Sequence, residues 1–128
     1  MILPYLIITN VAGKGRGVYT TQAIPAGTII EVAPVIVMPI THKVQLDATL
    51  LHDYIFYWGE HEELCAMALG YVPIYNHSYS SNCEYTMQYA QHTITITTVQ
   101  AIAAHMELTI NYNGDWDCAT PVWFGVVE

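Results

Sequence analysis

Short runs of apolar and β-branched residues, broken by turn-forming polar residues, make up most of this chain. Residues 93–97, Thr-Ile-Thr-Ile-Thr, alternate strictly, which is the two-residue repeat of a strand with one face to a core and one to solvent. Short runs rich in β-branched and aromatic side chains fall at residues 5–9, 17–20, 28–38, 54–58, 83–89, 93–99 and 108–110. Turn chemistry separates them: Ile24-Pro25-Ala26-Gly27 precedes the longest run, and Ser80-Ser81-Asn82 precedes the run at residue 83. The 3.6-residue period is weak everywhere, and residues 44–51 and 64–71 are the best short helical candidates. No internal repeat, low-complexity tract or linker interrupts the chain. The pattern predicts a mostly β fold with one or two short helices.

Length and composition narrow this further. At 128 residues the chain is expected to be one domain, residues 1–128, because two halves would each be too small to bury a core. Disorder requires low hydrophobicity and many charges, whereas 53% of residues are hydrophobic and 11% charged. No apolar run reaches the roughly 18 residues needed to span a bilayer. The opening Met1-Ile2-Leu3-Pro4-Tyr5-Leu6-Ile7-Ile8 lacks a basic lead-in and is interrupted by Pro4, so it reads as a first strand. The expectation is an intracellular protein, cytoplasmic or, in a eukaryotic host, nuclear.

Cys65, Cys83 and Cys118 are odd in number and share no C-x-x-C spacing, so they read as small core residues or unbridged thiols. The six histidines, at 42, 52, 61, 77, 92 and 105, form no i, i+4 pair, and no metal is expected. The net charge of −8 comes from 11 acids against three bases. That balance argues against direct nucleic-acid binding and suits a basic partner, though it is equally the profile of an ordinary soluble acidic protein. Two of the three bases, Lys14 and Arg16, share one glycine-rich loop.

Three segments carry candidate chemistry. In Gly13-Lys14-Gly15-Arg16-Gly17, alternating glycines permit positive φ and close approach of a ligand to the backbone; a plain hairpin turn needs the same residues. The spacing is not that of a dinucleotide or nucleoside-triphosphate loop. In Gly70-x5-Asn76-His77-Ser78-x3-Asn82, Asn and His each donate and accept, so the pair can read both an amine and a purine edge. An isolated Asn-His in a turn is ordinarily structural. The third segment is Ile102-Ala103-Ala104-His105-Met106-Glu107-Leu108-Thr109-Ile110-Asn111-Tyr112, and a tyrosine at a strand end is by itself ordinarily core or rim.

Taken together and in this order, the three segments resemble the signatures of the SET domain family, which transfers a methyl group from S-adenosylmethionine to protein lysine. The resemblance runs from about residue 8 to 124. It departs at Tyr79, where Cys is usual, at Ser81 for Pro, at His105 for Gly and at Met106 for Glu. It implies a SET-domain fold of several small β-sheets with short helices and a knot-like C-terminal segment. It also implies a protein-lysine N-methyltransferase that yields S-adenosylhomocysteine, with Tyr112 as the catalytic tyrosine. Lys14, Gly15, Arg16, Gly17, Asn76, His77 and Trp123 would bind the cofactor. Tyr54, Tyr57, Tyr75 and Phe124 would line the lysine channel, though residues 54–58 read equally as a core strand and Trp123-Phe124 as a staple for the terminus. Glu60, Glu62 and Glu63 read either as guides for a lysine-containing basic protein or peptide or as a solvated loop. Zinc-binding flanks, membrane contact and direct nucleic-acid contact are not expected; a homodimer is expected to complete the substrate groove. The competing readings are a catalytically silent SET-like module and a β-rich structural protein.

Overall fold

The computed structural model describes residues 1–13, 15–114 and 116–119. The described strands are β1 (Leu6–Val11), β2 (Gly15–Thr20), β3 (Ile29–Pro39), β4 (Ile55–Trp58), β5 (Leu64–Ala68), β6 (Asn76–His77), β7 (Cys83–Gln88), β8 (Thr93–Thr98) and β9 (Glu107–Ile110). They form one sheet in the order β1-β2-β9-β6 and another in the order β4-β5-β3-β8-β7. A short helix α1 (Thr41–Leu46) and two 3-10 turns, Leu50–Tyr54 and Val72–Ile74, link them. Among the described residues no helix is long and apolar enough to cross a membrane.

The alternation read from residues 93–97 sets the face of β8: Ile94, Ile96 and Thr98 are buried, with polar threonines between them. The long strand β3 runs through the middle of the five-stranded sheet, pairing with β8 along one stretch and β5 along the next. Both pairings are antiparallel, and a register shift between Ile29 and Glu31 marks a bulge. In the four-stranded sheet, β9 lies between β2 and β6, and its Leu108 and Ile110 are fully buried with Val18 of β2. No disulfide joins Cys65, Cys83 or Cys118.

One expectation needs correction. Residues 64–71 are not helical: Leu64–Ala68 is strand β5, paired with β3 on one edge and β4 on the other. Leu-Cys-Ala-Met-Ala has helical propensity, but burial between two strands overrides it. The other helical candidate is shifted towards the N-terminus. Helix α1 ends at Leu46, and Thr49, whose hydroxyl accepts from Leu51 N–H, caps a separate 3-10 turn.

Candidate active site

The site forms where two segments distant in sequence lie side by side. Pro73 sits inside a 3-10 turn that delivers Asn76 and His77 into β6, only two residues long. β6 pairs in parallel with β9, Asn76 opposite Thr109 and His77 opposite Ile110, and Ser78 N–H extends the pairing by donating to Ile110 O at 3.0 Å. Asn82 fastens the same strand: its Nδ2 donates to Glu107 O at 2.8 Å, and its Oδ1 accepts from Thr109 N–H at 2.9 Å. One side chain thus supplies both the donor and the acceptor that a neighbouring strand would give.

These contacts place Asn76, His77 and Tyr112 together. Asn76 Nδ2 donates to the Arg16 carbonyl at 3.0 Å and to Glu107 Oε2 at 2.8 Å, tying the glycine-rich loop to β6 and β9. The Tyr112 main-chain N–H donates to His77 Nδ1 at 3.0 Å, so the proton of neutral His77 belongs on Nε2. The Tyr112 hydroxyl donates to the Tyr75 carbonyl at 2.8 Å. With its proton committed there, the phenolic oxygen acts toward a further partner as an acceptor. Beyond β9, the buried Asn111 anchors the chain through Nδ2 to Cys118 O at 2.7 Å.

Tyr112 and Ile110 line a cavity of about 810 Å³. Tyr54, Phe56, Tyr57, Tyr85 and Tyr89 supply its aromatic walls, while Asp47, Asp53, Glu60 and Glu62 place four carboxylates around it. Against these stands Lys43, whose Nζ lies 2.7 Å from Asp47 Oδ2 and 4.9 Å from the centre of the Tyr57 ring. Such a cavity favours a cationic, partly apolar side chain, because rings and stems pack while carboxylates face the charge. Burial pushes the Tyr112 hydroxyl up to about 12, with nearby Tyr54, Asp53 and Glu107 adding to the rise. Tyr112 therefore stays protonated across the physiological range.

Asn76 meets the Arg16 carbonyl and His77 meets the Tyr112 N–H through the contacts above, with Gly15 and Gly17 flanking Arg16 in β2. Tyr54 and Tyr57 line the cavity that Tyr112 also lines. Tyr75 contributes its carbonyl rather than its ring: the ring is buried, and its hydroxyl donates to Glu31 Oε1 at 2.9 Å. Of the three guiding acids, Glu60 and Glu62 line the cavity, whereas Glu63 Oε2 accepts from His61 N–H at 3.0 Å. Lys14, Trp123 and Phe124 lie outside the described residues. Among the described residues no three His, Cys, Asp or Glu side chains gather as a metal site.

Two of the motif departures have visible consequences. His105 adopts φ 69°, the left-handed conformation that suits glycine, so the turn keeps its shape despite the side chain. Ser81 is fully buried, and its N–H, which a proline would lack, donates to Trp116 O at 3.1 Å. Residue-type reasoning missed Glu31, Asn82's hold on β9, and Asn111. A charged residue inside the longest apolar run was the available signal for Glu31.

Comparison with known proteins gives a family and a fold. The SET domain family model matches residues 15–113. A histone-lysine N-methyltransferase of Schizosaccharomyces pombe, specific for H3 lysine-37, is 32% identical over 108 residues, covering 84% of this chain and 72% of the relative. Among solved structures, a Plasmodium falciparum chain described as a histone methyltransferase superposes with a TM-score of 0.65 at 23% identity, over 90% of this chain and 98% of that one. A ctPRC2 assembly bound to S-adenosylmethionine gives 0.69 at 18% identity, over 84% of this chain and 15% of that one. At these identities both structures speak for the fold.

Proposed function

This chain belongs to the SET domain family and is a protein-lysine methyltransferase; from that premise we propose that Tyr112 is its catalytic tyrosine and that the acidic, aromatic-walled cavity admits the substrate lysine. The observation that carries the reading is the double anchoring of Tyr112, through its N–H to His77 and its hydroxyl to the Tyr75 carbonyl, where it faces that cavity.

The residues present fit S-adenosylmethionine, the methyl donor used by SET methyltransferases. Gly15 has φ +80° with nothing within 4 Å of where a Cβ would stand, which leaves its backbone open to a ligand. Asn76 and His77 beside it combine donors and acceptors suited to an amino acid end and a purine. Gly15, Arg16, Gly17, Asn76 and His77 would hold the molecule, which when bound supplies an electrophilic methyl on a sulfonium.

The protein's own part is to prepare the amine. A lysine is nucleophilic only when unprotonated, and its ordinary pKa of about 10.4 keeps it charged at neutral pH. Next to a sulfonium, the like charge and the loss of water on docking disfavour the charged form, while the carboxylates of the cavity favour it. The carboxylates near the cavity attract the ammonium on approach, and the Tyr112 oxygen accepts an amine hydrogen and aligns the nitrogen lone pair. Keeping Tyr112 un-ionised prevents it from fixing the lysine as a stable ion pair. The substrate is a basic protein segment, with a histone as the first candidate by likeness to the fission-yeast relative. The corresponding location is intracellular, and nuclear in a eukaryotic host.

The experiment is transfer of isotopically labelled methyl to recombinant histone H3 and a panel of lysine-rich proteins, wild type beside Tyr112→Phe. Label on lysine, with kcat roughly 10²-fold lower in the variant and unchanged S-adenosylmethionine affinity, is the expected result. Equal turnover by the two proteins would remove Tyr112 from the reaction.

A further inference from the structure

Glu31 is a carboxylate with no exposed surface, placed in the middle of the hydrophobic core. It stands there because of the bulge in β3: Ile30 and Glu31 are consecutive, and both are fully buried, where a regular strand would turn one outward. Removing a carboxylate from water costs several kcal/mol unless hydrogen bonds replace the lost hydration. Here both oxygens are served from the segment leading into β6. Oε2 accepts from Tyr71 N–H at 2.8 Å, and Oε1 accepts from the Tyr75 hydroxyl at 2.9 Å. Gly70 completes the fit, since a Cβ there would collide with Glu31 Oε2. Two donors meeting two oxygens call for a carboxylate; a glutamine would turn an NH2 group toward one of them.

The residue gripped in this way is the one that supports the active-site hydroxyl. Tyr75 gives its side chain to Glu31 and its carbonyl to the Tyr112 hydroxyl, and the next two residues are Asn76 and His77. We propose that Glu31 is a positioning residue for methyl transfer, holding Tyr75 from within the core so that its carbonyl fixes the Tyr112 hydroxyl. This rests on the reading of Tyr112 given above. The arrangement also accounts for a charge in a place where an apolar residue of similar volume would serve folding as well or better.

The test uses Glu31→Gln and Tyr75→Phe, the second of which keeps the ring and its packing while deleting only the tether. With recombinant histone H3 as acceptor, each variant is expected to lose roughly tenfold in kcat, with KM and S-adenosylmethionine affinity within about twofold of wild type. A structural lesion would instead move all three together. In parallel, NMR of protein labelled at tyrosine Cζ follows the Tyr112 hydroxyl directly, its signal assigned by loss in Tyr112→Phe. The Tyr112 resonance should shift in both variants, and its ionisation should move to lower pH than in wild type as the protonated hydroxyl loses its held acceptor. An unaltered Tyr112 signal and titration in folded Tyr75→Phe would overturn the proposal, whether or not H3 is an acceptor. Absence of methyl transfer by wild type would count against the functional reading alone, because the spectroscopic arm still decides the coupling between Glu31 and Tyr112.

Discussion

The side of the site that carries Asn76, His77 and Tyr112 and the side that carries Tyr54 and Tyr57 are built by different physics. On the first, β6 and β9 pair in register, Asn82 fastens β9, Asn111 anchors the chain just beyond it, and Glu31 holds Tyr75 just before β6. On the second, α1 buries no residue, Leu50 is 91% exposed, and Tyr57 leaves half its surface to water. In the proposed reading, chemistry that depends on fractions of an ångström uses the wall of hydrogen bonds. Recognition of a partner would use the wall of exposed rings and acids, where repacking is cheap.

The contrast can be broken most severely at Asn82. Asn82→Ala strips β9 of a donor and an acceptor in a buried setting, so stability should fall by about 3 kcal/mol. Urea unfolding reads this as a lowered midpoint at constant slope; a loss under about 0.5 kcal/mol would mean the two walls are equally forgiving. The reverse is expected on the other wall. Asp53→Asn combined with Glu60→Gln should raise KM for a basic acceptor roughly tenfold at low salt, while stability stays within about 0.5 kcal/mol. Loss of that difference in high salt would confirm its electrostatic origin; a KM change indifferent to salt would refute it.

A smaller effect sharpens the comparison on the rigid side. His105→Gly relieves a left-handed residue at φ 69° next to β9 and should add about 1 kcal/mol of stability without changing kcat. The smallest effect concerns pH. Tyr112 is raised to about 12 against about 10 in the unfolded chain, so its contribution to stability is complete below pH 10. That contribution declines as pH rises through the interval to about 12, where the unfolded state has already released its proton. The pH–rate profile should therefore show no descending limb from Tyr112 between pH 7 and 10. A limb there that disappears in Tyr112→Phe would show the hydroxyl to be far less enclosed.

What the sequence made legible follows the same division. Runs of β-branched and aromatic residues between turn signals located seven of the strands, and strict alternation fixed the faces of β8. Strand β5 escaped because Leu64-Cys65-Ala66-Met67-Ala68 reads as helix until two neighbouring strands enclose it. β6 escaped because two residues are too few to carry a period. The three ordered motifs located Asn76, His77 and Tyr112 for resemblance to interpret. Nothing local, however, distinguishes the Tyr75 ring as core from its carbonyl as a support. That assignment depends on Glu31, 44 residues earlier, and on Tyr112, 37 residues later.

The position of β9 has a consequence for the newborn chain. This strand is made last of the four in its sheet, yet it belongs between β2 and β6. During synthesis, β2 and the Asn76–His77 segment must wait with open edges until β9 and Tyr112 beyond it have left the ribosome. The Arg16–Asn76 and Tyr75–Tyr112 contacts, spanning 60 and 37 residues, can then close together. A chain cut before Glu107 would leave β2 and the Asn76–His77 segment without the strand that joins them, and would lack Tyr112 altogether.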